Sequence, residues 1–141
     1  MSNILVPVQE GQDVAWLVNY LQKIHQRESV RVHLLTVQPR YTGLVRLFFS
    51  ARDMDSFIAD DAKASLTPLR RALERTNIAF KCHVRVGDKA PEIVKFAKEF
   101  YCPQIIIGPT PKNWMLDLLF GTLNGRVESL IRLADGRCEV L

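Results

Sequence analysis

The sequence predicts an α/β fold, a doubly wound, mainly parallel five-stranded sheet flanked by four helices, and three observations carry that expectation. Ile4-Leu5-Val6-Pro7-Val8 and Ile105-Ile106-Ile107 are continuous apolar runs, the pattern of strands covered on both faces. Between the strand-like runs lie stretches whose apolar residues recur at three- and four-residue spacing, the mark of helices with one buried side. The two kinds of run alternate along the chain, the order that builds βαβ units.

The first strand covers Ile4 to Val8, with Pro7 near its end because a proline inside a central strand removes a ladder hydrogen bond. Gly11-Gln12-Asp13 turns the chain, and Asp13 caps a helix to about Arg27 with Val14, Leu17, Val18, Leu21 and Ile24 inward. Val30 to Val37 is the second strand, closed by Gln38-Pro39. Ile58, Ala62, Leu66, Leu69 and Leu73 mark one face of a long second helix, which Pro68 kinks or breaks.

In the third strand Ile78, Phe80, Cys82, Val84 and Val86 alternate with Ala79, Lys81, His83 and Arg85. One buried and one wet face puts this strand at the sheet edge, with Cys82 in the core. Gly87-Asp88 leads into a third helix through Pro91, with Ile93, Phe96, Ala97 and Phe100 inward. Ile105 to Ile107 is a short, central fourth strand. A fourth helix carries Leu123, Val127, Leu130, Ile131 and Ala134 on one face, and Cys138 to Leu141 forms the last strand.

A chain of 141 residues, 48% of them hydrophobic, suits one domain over residues 1–141. Lys and Arg exceed Asp and Glu by 19 to 15, but the cations are scattered without a basic run, which argues against nucleic-acid binding. The three cysteines are widely spaced, as free thiols in a reducing compartment are, and no apolar run reaches membrane-spanning length. A cytoplasmic protein that does not engage membranes is the expectation.

The segment from Ile105 to Val127 carries the chemistry. Gly108 follows a buried strand, and Gly121-Thr122 opens a helix whose free N–H groups and dipole favour an anion. Pro109 and Pro111 interrupt that cradle, since proline offers no N–H. Gly121-Thr122 reads as a phosphate hook or as a plain helix start, and Lys112 as a phosphate contact or a solvated lysine. Trp114 and Met115 cover a ligand or fold onto the domain. In doubly wound sheets ligands bind beyond the carboxyl ends of the strands where the winding reverses, so central first and fourth strands would bring the loops starting at Gln9 and Gly108 to one crevice.

Other residues receive blander readings. His25, His33 and His83 lie on separate elements with no carboxylate or thiol at ligand spacing, and are structural or surface residues. Asp53, Asp55, Asp60 and Asp61 lie at the start of the second helix, where negative charge suits its dipole. The apolar stretch Leu44 to Phe49 is a partner surface, a lid, or packing over the sheet end.

The chain resembles the universal stress protein family over essentially its whole length. The resemblance rests on Ile4 to Val8, on His33-Leu34-Leu35-Thr36-Val37, on Val86-Gly87-Asp88, on Ile105-Ile106-Ile107-Gly108 followed by Leu118-Leu119-Phe120-Gly121-Thr122, and on Cys138 to Leu141. It implies strand order 3-2-1-4-5 and a homodimer paired through the C-terminal strand.

One branch of the family binds ATP through glycine, two residues, glycine, nine residues, glycine, then Ser or Thr. Here Gly108, Gly121 and Thr122 fill their places at intact spacing, but Pro111 holds the second glycine's place. Gln9 replaces the family's nucleoside-contacting Asp, and Val37 stands where a hydrophobe packs near the adenine. One lost phosphate hydrogen bond costs about 1.5–3 kcal/mol, whereas Gln9 can still donate and accept and Lys112 can meet phosphates as a point charge.

The resemblance therefore implies a stress-response binding or signalling module with a weakened adenine-nucleotide pocket formed by Gln9, Val37, Gly108, Pro111, Lys112, Gly121 and Thr122. No cofactor is required, and ATP or AMP is the nucleotide such a pocket would take. No catalysis is expected, because the loop between Gly108 and Gly121 holds only Asp117 as a carboxylate and no Walker-type Gly-Lys-Ser/Thr. The alternatives are an adenine-nucleotide-binding member, an ATP-hydrolysing enzyme, and a purely structural interaction protein.

Overall fold

The structure, a computed structural model, describes residues 1–9, 11–40 and 47–108 and the backbone of residues 139–140. The elements run β1 (Ser2–Pro7), α1 (Val14–Arg27), β2 (Val30–Gln38), α2 (Ala51–Glu74), β3 (Ala79–Val86), α3 (Lys89–Glu99), β4 (Gln104–Ile105) and β5 (Glu139–Val140). The sheet is five-stranded, in the order β3-β2-β1-β4-β5, and each adjacent pair is parallel. Three helices lie wholly among the described residues, where Leu47 and Phe48 are helical as well; the fourth expected helix, from Leu123 to Ala134, lies outside them.

Both faces of β1 and β2 are covered, which explains the unbroken apolar runs. Ile4 and Val6 of β1 and Val32 and Leu34 of β2 pack with Leu17 and Leu21 of α1 and Leu66, Leu69 and Leu73 of α2. Leu5, Leu35 and Val37 point the other way, onto Ile93, Phe96 and Ala97 of α3 together with Ile105 and Ile107. Successive strand residues serve opposite cores, so β1 and β2 cannot alternate apolar with polar.

Some local signals are realised and others are not. Pro7 is the last residue of β1, and Asp13 caps α1 by accepting from the Trp16 N–H at 3.0 Å. Pro68 does not break α2, which is continuous through it. Ser50 starts that helix with a reciprocal capping box: its hydroxyl accepts from the Asp53 N–H and the Asp53 carboxylate accepts from the Ser50 N–H. Asp60 and Asp61 consequently fall inside the helix, not at its start as expected. Ile106 and Ile107, expected within the fourth strand, are buried just past β4, and the Ile106 N–H donates to the Leu5 carbonyl at 2.9 Å.

The edge strand departs most from expectation. Ile78 before it is buried, but Cys82 is exposed, and Val84 and Val86 keep 47% and 37% of their surface. Alternation assigned these side chains to one face; it did not establish that anything covers that face. The opposite face, taken as wet, holds His83 and Arg85 against Phe96 of α3. His33 and His83 also meet, although they come from different strands.

The described part of the apolar stretch is open as well. Leu47 and Phe48 each expose 77% of their surface, while Phe49 packs edge-on against Phe57. Leu44, Val45 and Arg46 lie outside the described residues.

Candidate functional site

The order β2-β1-β4 makes β1 and β4 neighbours, so the winding reverses between them, and the region past their carboxyl ends is where doubly wound sheets take their ligands. Gln9 stands at that point, just beyond Pro7 and Val8. The Gln12 side chain steadies the turn from both sides, donating to the Pro7 carbonyl at 3.0 Å and accepting from the Gln9 N–H at 3.4 Å. Val8 is held by its own N–H, which donates to the Leu35 carbonyl at 2.7 Å.

Gln9 borders two hollows. The larger, about 510 Å3, lies between α1 and α2 and is lined by Gln9, Gln12, Gln38, Asp61, Ser65 and Leu69, among others. The smaller, about 10 Å3, lies on the α3 side beneath Pro7, Gln9, Leu35, Val37, Lys89 and Ile93. The larger falls in the range of small-molecule sites, whereas the smaller holds about one water.

The larger hollow has a mixed lining, in which Val8, Val14 and Leu69 stand beside the neutral polar Gln9, Gln12, Gln38 and Ser65 and the acidic Asp61. Gln38 is buried, and its Nε2 donates to the Thr36 hydroxyl at 2.8 Å. Gln9 Nε2 is buried with no hydrogen-bond partner among the described residues. Burying an amide N–H without a partner costs on the order of 1–3 kcal/mol, so this donor favours an acceptor brought by a ligand or a water.

The expected site residues therefore separate. Gln9 and Val37 come together at the small hollow. Gly108 has φ +76° and is backed by α1: a Cβ placed on it would lie 2.8 Å from Trp16 Cζ3 and 3.4 Å from Leu17 Cδ2. Glycine is required there twice over, once by the backbone and once by the indole. Pro111, Lys112, Gly121 and Thr122 lie outside the described residues, as do Trp114, Met115 and Asp117.

The sequence reading missed Gln12, Gln38, Asp61 and Ser65. Gln38 closes β2 and Ser65 sits one residue before Leu66 on α2, but only the strand order brings them beside Gln9. No group of three or more His, Cys, Asp or Glu side chains suited to a metal occurs among the described residues. No described helix is long and apolar enough to cross a membrane.

No curated protein matches the chain. Several solved structures share its fold. The protein MJ0577 superposes with a TM-score of 0.74 at 21% identity, covering 99% of this chain and 93% of that one. A universal stress protein in complex with cAMP gives 0.70 at 15% identity, over 99% and 94%. A universal stress protein family member from Arabidopsis thaliana with AMP bound gives 0.65 at 17% identity, over 100% and 90%. The sequence profile of the universal stress protein family matches residues 1–128, and the chain belongs to that family.

Proposed function

We propose that this protein is a non-catalytic, dimeric cytoplasmic stress-response module whose adenine-nucleotide pocket is weakened. The observation that carries the reading is the small hollow between Val37 and Gln9. Between the described residues it measures about 10 Å3, less than a purine ring needs, and Val37 is the position where the family resemblance places the adenine. Two further features support it. Gln9 offers a neutral amide in place of a carboxylate, and Pro111 cannot donate to a phosphate.

A second reading, a working AMP or ATP binder, is favoured by the larger hollow. Its volume of about 510 Å3 suits a nucleoside, and Gln9, whose buried Nε2 has no partner among the described residues, is one of the residues that line it. Relatives of the same fold with AMP or cAMP bound make adenine nucleotides the first ligands to try.

Isothermal titration with ATP, AMP and cAMP separates the two. The unmodified protein is expected to bind each more weakly than about 100 μM, and the Gln9→Asp, Pro111→Gly double variant to gain about tenfold or more for ATP. Low-micromolar binding by the unmodified protein would establish the second reading. No gain in the double variant would place the defect elsewhere in the pocket.

A further inference from the structure

The least expected cluster lies away from the crevice, between the sheet and the C-terminal end of α3. His33 Nδ1 faces His83 Nε2 at 3.0 Å, His33 Nε2 faces Asn3 Oδ1 at 3.3 Å, and Asn3 Nδ2 donates to the Phe100 carbonyl at 3.1 Å. Phe96 and Phe100 stack with centroids 4.2 Å apart, and both pack against both imidazoles. β1, β2, β3 and the end of α3 thus meet in one polar chain set in an aromatic nest.

The chain fixes its own proton positions. A backbone carbonyl only accepts, so the Asn3 amide turns its NH2 to Phe100 and its oxygen to His33. His33 Nε2 must then carry the hydrogen, which leaves Nδ1 of the neutral ring as an acceptor for His83 Nε2–H. Both rings are neutral in this arrangement.

A first added proton is accommodated on His83 Nδ1, which leaves a single hydrogen in the 3.0 Å gap between His83 Nε2 and His33 Nδ1. A second puts hydrogens on both facing nitrogens, and two cationic rings then stand 5.2 Å apart between their centroids. The surrounding charges offer little relief. Arg31 from β2 and Lys81 and Arg85 from β3 are all positive, and β1 contributes only the neutral Asn3. From α3, the Glu99 carboxylate is already paired with Arg85 at 2.6 Å.

We infer that the His33–His83 pair is a pH-sensitive latch that holds the C-terminal end of α3 on the sheet and releases it when both rings are protonated. Burial first, then Arg31 and Lys81, pushes the His33 imidazole below its ordinary value. Burial first, then His33, Arg85 and Lys81, does the same to His83.

The sign follows from linkage. Both folded-state values are depressed, so the unfolded chain binds more protons as pH falls past the ordinary histidine value of about 6.5. The latch's contribution is complete above that pH and declines as pH falls towards the lowered folded-state values. With two such rings, the unfolding equilibrium constant rises by up to about a hundredfold per pH unit in that window; with one, by up to about tenfold.

The test is hydrogen exchange of the α3 amides between pH 5 and 8, corrected for the intrinsic pH dependence of exchange, alongside NMR titration of the histidine rings. Protection at Ala97 to Phe100 is expected to fall on acidification in the unmodified protein, with both rings titrating below 6.5. His83→Gln keeps an amide N–H for His33 and removes one titrating ring, so its loss should be shallower; His33→Gln, His83→Gln should show none. Ring titration at or above 6.5, or α3 protection that does not change with pH, would overturn the latch. Equal acid loosening in the double variant would do so as well.

Discussion

The indole of Trp16 fills the space that a Cβ on Gly108 would need, with Cζ3 only 2.8 Å from that position. α1 therefore presses directly on the first residue past the buried Ile105 to Ile107 run, where the chain must also take a positive φ of +76°. Gly108→Ala is expected to cost about 2 kcal/mol or more, from the left-handed backbone and from displacement of the indole together. Urea unfolding measures the loss. Trp16→Ala in the same chain should recover only the steric part, leaving about 1 kcal/mol of backbone strain.

Tyr101 presents the same backbone problem without a glycine. It follows the C-cap Phe100 with φ +52°, and the Tyr101 and Cys102 N–H groups donate back to the Lys98 and Ala97 carbonyls, the pattern of a Schellman cap. Its side chain is 85% exposed and contributes little packing. Tyr101→Gly should stabilise the fold by about 0.5–1 kcal/mol, because relief of the left-handed strain exceeds glycine's added chain entropy. A rise of about 1–3 °C in Tm checks this.

Ser50 caps the longest described helix on an exposed surface, where nothing but the cap is at stake. Ser50→Ala should cost about 1 kcal/mol, and Ser50→Asp, which restores an acceptor, should lose much less. Thermal unfolding of the two variants side by side separates the hydrogen bond from any effect of changing the surface.

What the sequence revealed and what it concealed divide along local and long-range lines. Asp13, Pro7 and Pro91 act through their own backbone neighbourhoods, and each stands where its chemistry predicts. Gly108 was recognisable as a punctuation point after Ile107, but its partner Trp16 lies some ninety residues earlier and is brought there only by the β1–β4 pairing. The His33–His83 contact needs the β2–β3 register, in which His33 stands opposite Lys81 and His83 opposite Leu35. Cys82 shows the converse failure, since periodicity names a face without naming what covers it. Of the crevice, Gln9 and Val37 were legible from the resemblance, whereas Gln38 and Ser65 join it only through strand order and the crossing of α2.

The two hollows beside Gln9 make opposite predictions for nucleotide affinity. Val37 is buried against the smaller one, so Val37→Ala should cost about 1–3 kcal/mol in stability while enlarging a space that begins at about 10 Å3. If adenine uses that side, AMP affinity should rise several-fold in the variant despite its lower stability. Ser65 lines the larger hollow from an exposed position on α2, so Ser65→Trp can fill that hollow without removing any core contact. If the nucleotide sits there, Ser65→Trp should lower AMP affinity about tenfold or more and Val37→Ala should leave it unchanged. The weakened-pocket reading expects the first pattern, because missing room under Val37 then adds to the changes at Gln9 and Pro111. The second pattern would move the binding site to the α1–α2 side of the sheet, and titration calorimetry of the two variants decides between them.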